Sequence, residues 1–302
     1  VPGSQYGYHF FSDARTCPRH WFYRHYFGFE PKTKAGALLF GTAVHAAVEA
    51  FLNTADPTAA VSAAEASLIS SKQSYKFEEN YEKDRKRIGP LVEKWCANIG
   101  VGLLANYDVV KTELELTSPE GLTGRLDFVL REKNNPSLFV GEVKSTSFSL
   151  TKMLKTVGAA DQLTMYTYLV KNSDFVQREG MFVGGGLLNA LYSCGSVCEV
   201  ALESTYVDQN MIDEYLDGLL STLDSLLLRL TYMERGHRAY VMARHPGHQC
   251  SFCPFADVCR LGRVEATEDN FDPDQFNRET VDTAKLHEDL TEIRAKLGEG
   301  RL

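Results

Sequence analysis

Leu122-Thr-Gly-Arg-Leu-Asp-Phe-Val-Leu130 and Ser137-Leu-Phe-Val-Gly-Glu-Val-Lys-Ser145, parted by the polar turn Lys133-Asn-Asn-Pro136, decide the fold of this chain. Both runs are short, apolar at alternate positions and bounded by turn formers, which predicts two strands joined as a β-hairpin. Residues i and i+2 of a strand share a face, so Glu142 and Lys144 project together, while Val143 points away and offers only its carbonyl. Asp127 lies fifteen residues before Glu142, on the partner strand, where it can complete an oxygen cage. Magnesium is held by one or two protein carboxylates and keeps several waters, so two acids suffice and leave room for a phosphate. The pattern Asp…Glu-x-Lys carries little information alone, because a solvated hairpin face produces it as well.

Three further features surround the hairpin. Downstream, Ala159-Ala-Asp-Gln-Leu-Thr-Met-Tyr-Thr-Tyr-Leu-Val170 reads as a helix whose Gln162 and Tyr166 stand at i and i+4 on one face. Upstream, the apolar helix over 38–52 carries His45 and Glu49 at the same spacing. A lone histidine on such a face is often only a packed core residue; its place in Phe40-Gly-Thr-Ala-Val-His45, with Glu49 one turn on, favours a functional role. Glu49 and Glu113 read as supporting or structural acids. Finally, Cys250-x-x-Cys253-x5-Cys259 lies near the C-terminus, and Cys17 sits in Thr16-Cys-Pro-Arg19 near the N-terminus.

The remaining pattern predicts a mostly helical first third, with helices near 12–26, 37–53, 57–74 and 79–105, the last with a bend at Gly89-Pro90. A strand over 109–116, the hairpin, a helix over 156–172 and strands near 181–192 and 197–206 follow. Asp208 caps a long helix reaching about residue 234, whose leucines make a core stripe rather than a coiled coil. Gly184-Gly-Gly186 lacks the strand-turn-helix context of a dinucleotide loop and reads as a permissive bend in a strand.

Composition bounds the function. The 302 residues, 44% hydrophobic and 11% aromatic, can bury a sizeable core. No run of eighteen apolar residues and no basic-then-apolar leader occur, so neither membrane span nor signal peptide is indicated, and the expected location is intracellular. Seven cysteines, three in one short cluster, do not form a disulfide framework. Cys96, Cys194 and Cys198 read as core thiols. Four thiolates from Cys17, Cys250, Cys253 and Cys259 could hold zinc or an iron-sulfur cluster, and spacing does not separate the two; a zinc site could take His248 in place of Cys17.

The net charge of −8 argues against a nucleic-acid binder, yet it is local. Residues 265–302 hold eleven acids against five Lys and Arg, a net of −6, which leaves −2 for residues 1–264. The expected division is therefore a domain over 1–264 and an acidic tail over 265–302. Near the N-terminus Arg15, Arg19 and Arg24 interleave with Trp21, Phe22, Tyr23 and Tyr26, a pattern that suits a single-strand path and equally suits a helix with aromatics in the core. Lys83-Asp-Arg-Lys-Arg87 reads as a solvated helix face. Lys152 and Lys155, just past the Glu-x-Lys strand, are placed to touch a substrate backbone.

In this order the motifs resemble the RecB-like branch of the PD-(D/E)XK nuclease superfamily, and within it the iron-sulfur members. The resemblance runs from residue 9 to about 262 and rests on Cys17, His45, the Gly-x-x-Asp ending at Asp127, Glu142-x-Lys144, Gln162-x-x-x-Tyr166 and the C-terminal cysteines. It implies an α/β fold with a mixed central sheet flanked by helices, a helical N-terminal part and an iron-sulfur staple joining the two ends. It also implies magnesium or manganese held by Asp127, Glu142, the Val143 carbonyl and His45, with Lys144, Gln162 and Tyr166 as catalytic groups. Cys17, Cys250, Cys253 and Cys259 would then bind a 4Fe-4S cluster, with zinc as the alternative. Arg15, Arg19, Lys152 and Lys155 are the expected DNA contacts.

The implied function is metal-dependent exonuclease action on single-stranded DNA ends in recombination, repair or replication. The alternatives are an end-processing endonuclease and a non-catalytic DNA-binding scaffold, against which the retained acids and lysine argue. No Gly-x4-Gly-Lys-Ser/Thr loop is present, so a helicase or recombination partner would have to supply any motor.

Overall fold

The computed structural model describes residues 5–32, 36–147, 149–157, 161–174, 176, 180–260 and 271–299. By contacts the chain divides into two units, one of residues 33–118 and 123–212, the other of 1–32, 119–122 and 213–302.

The first unit is built on a five-stranded sheet. Its strands are β2 (Tyr107–Thr117), β3 (Thr123–Glu132), β4 (Ser137–Thr146), β5 (Phe182–Cys194) and β6 (Val197–Thr205), in that spatial order. All pairings are antiparallel except β4 with β5, which is parallel. A parallel pair needs a crossover, and here it carries α7 (Leu150–Val157) and α8 (Asp161–Lys171). The single helix expected over 156–172 is thus two helices, with residues 158–160 outside the described ones. The expected hairpin is present, and Gly141 shows why it closes as it does: it pairs with Phe128, and a Cβ there would fall 1.8 Å from the Phe128 ring. The aromatic lies flat across the bare backbone, immediately beside Asp127 and Glu142. Gly185, at φ +152 with Thr205 O 2.4 Å from where its Cβ would stand, marks the register shift between β4 and β5. The bend expected at the glycine triplet is therefore a strand irregularity.

Helices α3 (Gly36–Thr54), α4 (Pro57–Ser70) and α5 (Glu78–Trp95) share one core with the sheet. On α3 the buried positions 39, 40, 43, 44, 47, 48, 51 and 52 recur at helical spacing. By length and composition α3 could cross a membrane, but that apolar face is already packed against Phe128, Val143 and Leu187 in the core. Asp56 caps α4 by accepting the Thr58 N–H at 2.8 Å, with Pro57 in the first turn. Pro90 does not break α5; the helix continues to a π-helical turn at Cys96–Gly100 and then α6 (Val101–Asn106). In the basic run on α5, Lys83, Arg85 and Lys86 are exposed as expected. Asp84 is buried and binds the Tyr75 hydroxyl at 2.8 Å and Arg87 at 2.7 Å.

The second unit joins the chain ends. The expected helix over 12–26 is α1 (Tyr8–Thr16), α2 (Pro18–Trp21) and a π-helical turn at Phe22–Tyr26, broken at Cys17, which is extended at φ −157 and ψ 109. The cause is local: the residue before a proline is driven out of the helical region, and Pro18 then opens the next helix. Helix α9 (Gln209–Glu234) starts as predicted, the Met211 N–H donating to Asp208 at 2.8 Å. Its Leu216, Leu219, Leu223, Leu226 and Leu230 are buried at helical spacing. The short helices α10 (Arg238–Val241) and α11 (Ala256–Arg260) follow.

Residues 271–299 differ from an acidic tail. Strand β7 (Phe276–Arg278) pairs with β1 (Phe29–Pro31), and α12 (Thr283–Glu299) buries Leu286, Leu290, Ile293 and Leu297. Asp289 accepts the Tyr6 hydroxyl at 2.6 Å, and Arg294 bonds Asp224 at 2.8 Å. Of the acids in this segment, Glu288, Asp289, Glu292 and Glu299 lie on α12, an amphipathic helix of the same unit as residues 1–32.

Candidate active site

Two strands and two helices of the first unit converge at Asp127. The β3–β4 ladder ends at the pair Phe128 with Gly141, and one step beyond it the Val143 N–H donates to Asp127 Oδ2 at 2.7 Å instead of to a strand carbonyl. The other carboxylate oxygen, Oδ1, meets His45 Nδ1 at 3.0 Å. Asp127 is therefore held at both oxygens, one by the strand that bears Glu142 and one by α3. Burial disfavours charge on His45, but the Asp127 and Glu142 carboxylates outweigh it and hold the imidazole above its ordinary value.

Glu142 is 2% exposed. Its Oε1 contacts the Lys144 ammonium, as the i, i+2 relation on β4 predicts. Its Oε2 is buried with no hydrogen-bond partner among the described residues. Burial first, then the nearby Asp127 charge, pushes the Glu142 carboxyl up to about 7, against the pull of Lys144 and His45. A buried carboxylate oxygen with nothing to bind costs free energy unless a cation or proton meets it. Gln162 and Tyr166 lie buried on α8, the Gln162 amide donating to the Tyr166 hydroxyl at 3.1 Å. Burial and the Glu142 charge raise the phenol far above its usual range, so it stays a neutral hydroxyl.

Among the described residues, one trio of ligand atoms lies mutually within 4.8 Å: His45, Glu113 and Asp127. From the sequence Glu113 reads only as a supporting or structural acid. The β2–β3 pairs Thr112 with Phe128 and Leu114 with Leu126 bracket Glu113 directly opposite Asp127. Its place opposite Asp127 rests on the register between two strands, and the left-handed backbone at Glu113, φ +48, has no signal in the sequence. Arg125 binds Glu113 at 3.1 Å, and burial raises its carboxyl. The trio fits a hard divalent cation, which prefers oxygen donors and accepts an imidazole, and Glu142, outside that group, offers a further buried oxygen.

In the second unit the four expected cysteines lie close enough to act on one another. Burial chiefly raises the Cys253 thiol, and Cys17, Cys259 and Cys250 add to the shift. Arg19, expected to contact DNA, is 4% exposed; it donates to Met242 O at 2.9 Å and approaches Cys259 Sγ at 4.0 Å. It is a structural cation beside the thiols, not a phosphate contact. Trp21, Phe22 and Tyr23 are buried as well, so no base can stack on them. Arg15 is exposed, 5.5 Å from the Tyr215 ring. Lys152 and Lys155 belong to α7, but their side chains fall outside the described residues. Of the three cysteines expected in the core, Cys96 is buried and Cys198 half-buried, but Cys194 is exposed at the β5–β6 turn.

Asp127, Glu142, Glu113, His45 and Lys144 thus bring three carboxylates, an imidazole and an ammonium to the strands of one mixed sheet and the helix packed on it. The chain belongs to the PD-(D/E)XK nuclease superfamily, whose family model matches residues 11–260, and it is accordingly a metal-dependent nuclease that binds DNA. No curated protein matches the chain. A solved structure described as "Crystal structure of SSO0001" aligns over 64% of this chain and 79% of its own at 16% identity, with a TM-score of 0.27, too low to carry any argument.

Proposed function

We propose that the protein is a magnesium- or manganese-dependent exonuclease of the RecB-like, iron-sulfur kind, acting on ends of single-stranded DNA. The observation that carries the nuclease site is the buried Glu142, whose Oε1 is met by Lys144 and whose Oε2 is left for a cation. Asp127, Glu142 and the Val143 carbonyl, with His45 and Glu113, would hold one or two ions. When bound, these would polarise the phosphoryl group and lower the pKa of water. Lys144, anchored by Glu142, neutralises charge growing on the phosphorane oxygens. Gln162 holds the Tyr166 hydroxyl in place as a neutral donor toward the same group. Cys17, Cys250, Cys253 and Cys259 would carry a 4Fe-4S cluster in a structural role, since phosphodiester hydrolysis moves no electrons, and the resemblance to the iron-sulfur nucleases supports a cluster over zinc. Such reduced thiolates favour an intracellular setting.

The weak net charge of the sequence outside 265–302 favours single strands over a tight grip on duplex. The resemblance to stand-alone iron-sulfur nucleases favours end-dependent action, with 5′ to 3′ as the favoured polarity. Labelled linear and closed circular single strands, incubated with magnesium, test the end requirement. Linear DNA should be consumed to short products while the circle persists. Cleavage of the circle at a similar rate would make the protein an endonuclease.

A further inference from the structure

Beside the metal trio lies an open cleft of about 610 Å³ between α3 and β2. Glu49, Leu52 and Asn53 line it from the helix and residues 109–113 from the strand. Glu113 belongs to both the cleft and the trio, and Glu49 stands one helical turn beyond His45, so cleft and metal group are continuous. A regular strand would turn only alternate residues to one side. Here the register shift between Val109 and Lys111 and the left-handed Glu113 bring five consecutive residues of β2 to the wall. The volume falls in the range of pockets that hold one small organic molecule, roughly 300–1,000 Å³.

The lining chemistry selects what enters. Glu113 is already neutralised by Arg125 at 3.1 Å. That leaves Glu49 and the exposed Lys111, one charge of each sign, with Lys111 in no ion pair among the described residues. Asn53 is exposed, and its amide donates to Thr112 Oγ1 at 3.1 Å. The Thr112 hydroxyl in turn reaches Glu49 Oε1 at 3.5 Å. A polar, charge-balanced cleft suits a neutral group rich in acceptors better than a second phosphate, for which the cation site beside it is the natural place.

Building on the nuclease reading above, we infer that this cleft binds the terminal nucleoside of the DNA strand, with the scissile phosphate at the trio and Asn53 and Lys111 as donors to base and sugar. The cleft thereby fixes how far the end reaches past the cut and sets the product length. Asn53 and Lys111 are substrate-binding residues in this account, and both are exposed, so their replacement leaves the core intact.

The test uses the full chain carrying Lys144→Ala, with magnesium and a linear single-stranded oligonucleotide bearing 2-aminopurine either at one end or in the middle. Binding should change the fluorescence of one terminal label at least twofold more than that of the internal one. Asn53→Ala together with Lys111→Ala should abolish that difference. In the otherwise wild-type chain the same pair should raise KM about tenfold with kcat within threefold, and Lys111→Arg should restore most of the loss. Terminal and internal labels that respond alike, or a double variant with unchanged KM, would overturn the inference. Failure of the wild-type chain to cut any DNA while the terminal label still responds would instead strike the nuclease reading.

Discussion

At the scale of single residues the site is legible where chemistry repeats at fixed spacing. Asp127, Glu142 and Lys144 announce themselves by alternation, and the structure joins them as the hairpin predicts, through the Val143 N–H and the Glu142–Lys144 contact. Glu113 was undervalued because its importance depends on cross-strand register, which one strand's sequence does not encode. Arg19 was misread for a related reason: a guanidinium among aromatics looks the same whether it faces a phosphate or a buried carbonyl, and only Met242, 223 residues away, decides. Glu142 supplies a prediction about pH. Its folded-state pKa, about 7, lies above its ordinary value of 4.5, so between those values the folded protein binds the proton more tightly than the unfolded chain. The stability this group contributes is present at low pH and is lost as pH rises toward 7. Metal-free protein should therefore melt at a lower temperature at pH 8 than at pH 5.5, and magnesium should raise the melting temperature more at pH 8. Calorimetry on wild type and Glu142→Gln checks this; an equal pH slope in the two proteins would contradict it.

Among the elements, helix and strand positions followed from apolar periodicity and from the cap at Asp208, whose side chain does accept the backbone N–H group expected; Asp56 caps α4 in the same way. The break at Cys17 was readable in the dipeptide Cys17-Pro18, yet the run of aromatics suggested one continuous helix. That break has a consequence for metal binding, because it frees Cys17 from helical geometry at the start of α2. If the four cysteines hold a cluster, the cross-link joins positions 233 residues apart. In the loop-closure picture, tying a loop of that length constrains the unfolded chain by about 5 kcal/mol. Cys17→Ala should lose most of its iron and melt at a markedly lower temperature than wild type purified without oxygen. Iron analysis, expected near four per chain for a 4Fe-4S cluster, and a thermal melt read this out. A Cys17→Ala protein with full metal content would show that no such link exists, and colourless protein with one zinc would show that the thiols serve a different ion.

For the whole molecule, sequence order and spatial order part company. The segment over 265–302 reads as an acidic tail because eleven acids dominate its composition, but charge counts ignore the spacing of Leu286, Leu290, Ile293 and Leu297, which buries one face of α12. The strand Phe276–Arg278 is too short for a periodicity signal and exists only because Phe29–Pro31 pairs with it. The mixed sheet, by contrast, was implied by the family resemblance, and the crossover through α7 and α8 that its parallel β4–β5 pair requires is present. The fold therefore rests on local patterns read correctly, and the parts missed are those fixed by partners far along the chain. The central claim, that Asp127, Glu142 and Lys144 form a metal-dependent nuclease site, is tested most directly by digesting labelled linear single-stranded DNA with magnesium and with chelator, using wild type, Asp127→Ala and Lys144→Ala. Wild type should digest DNA only with metal. Lys144→Ala should lose at least a hundredfold in rate while keeping DNA and metal affinity, and Asp127→Ala should lose metal affinity as well. Digestion by either variant at the wild-type rate, or undiminished digestion in chelator, would contradict the account.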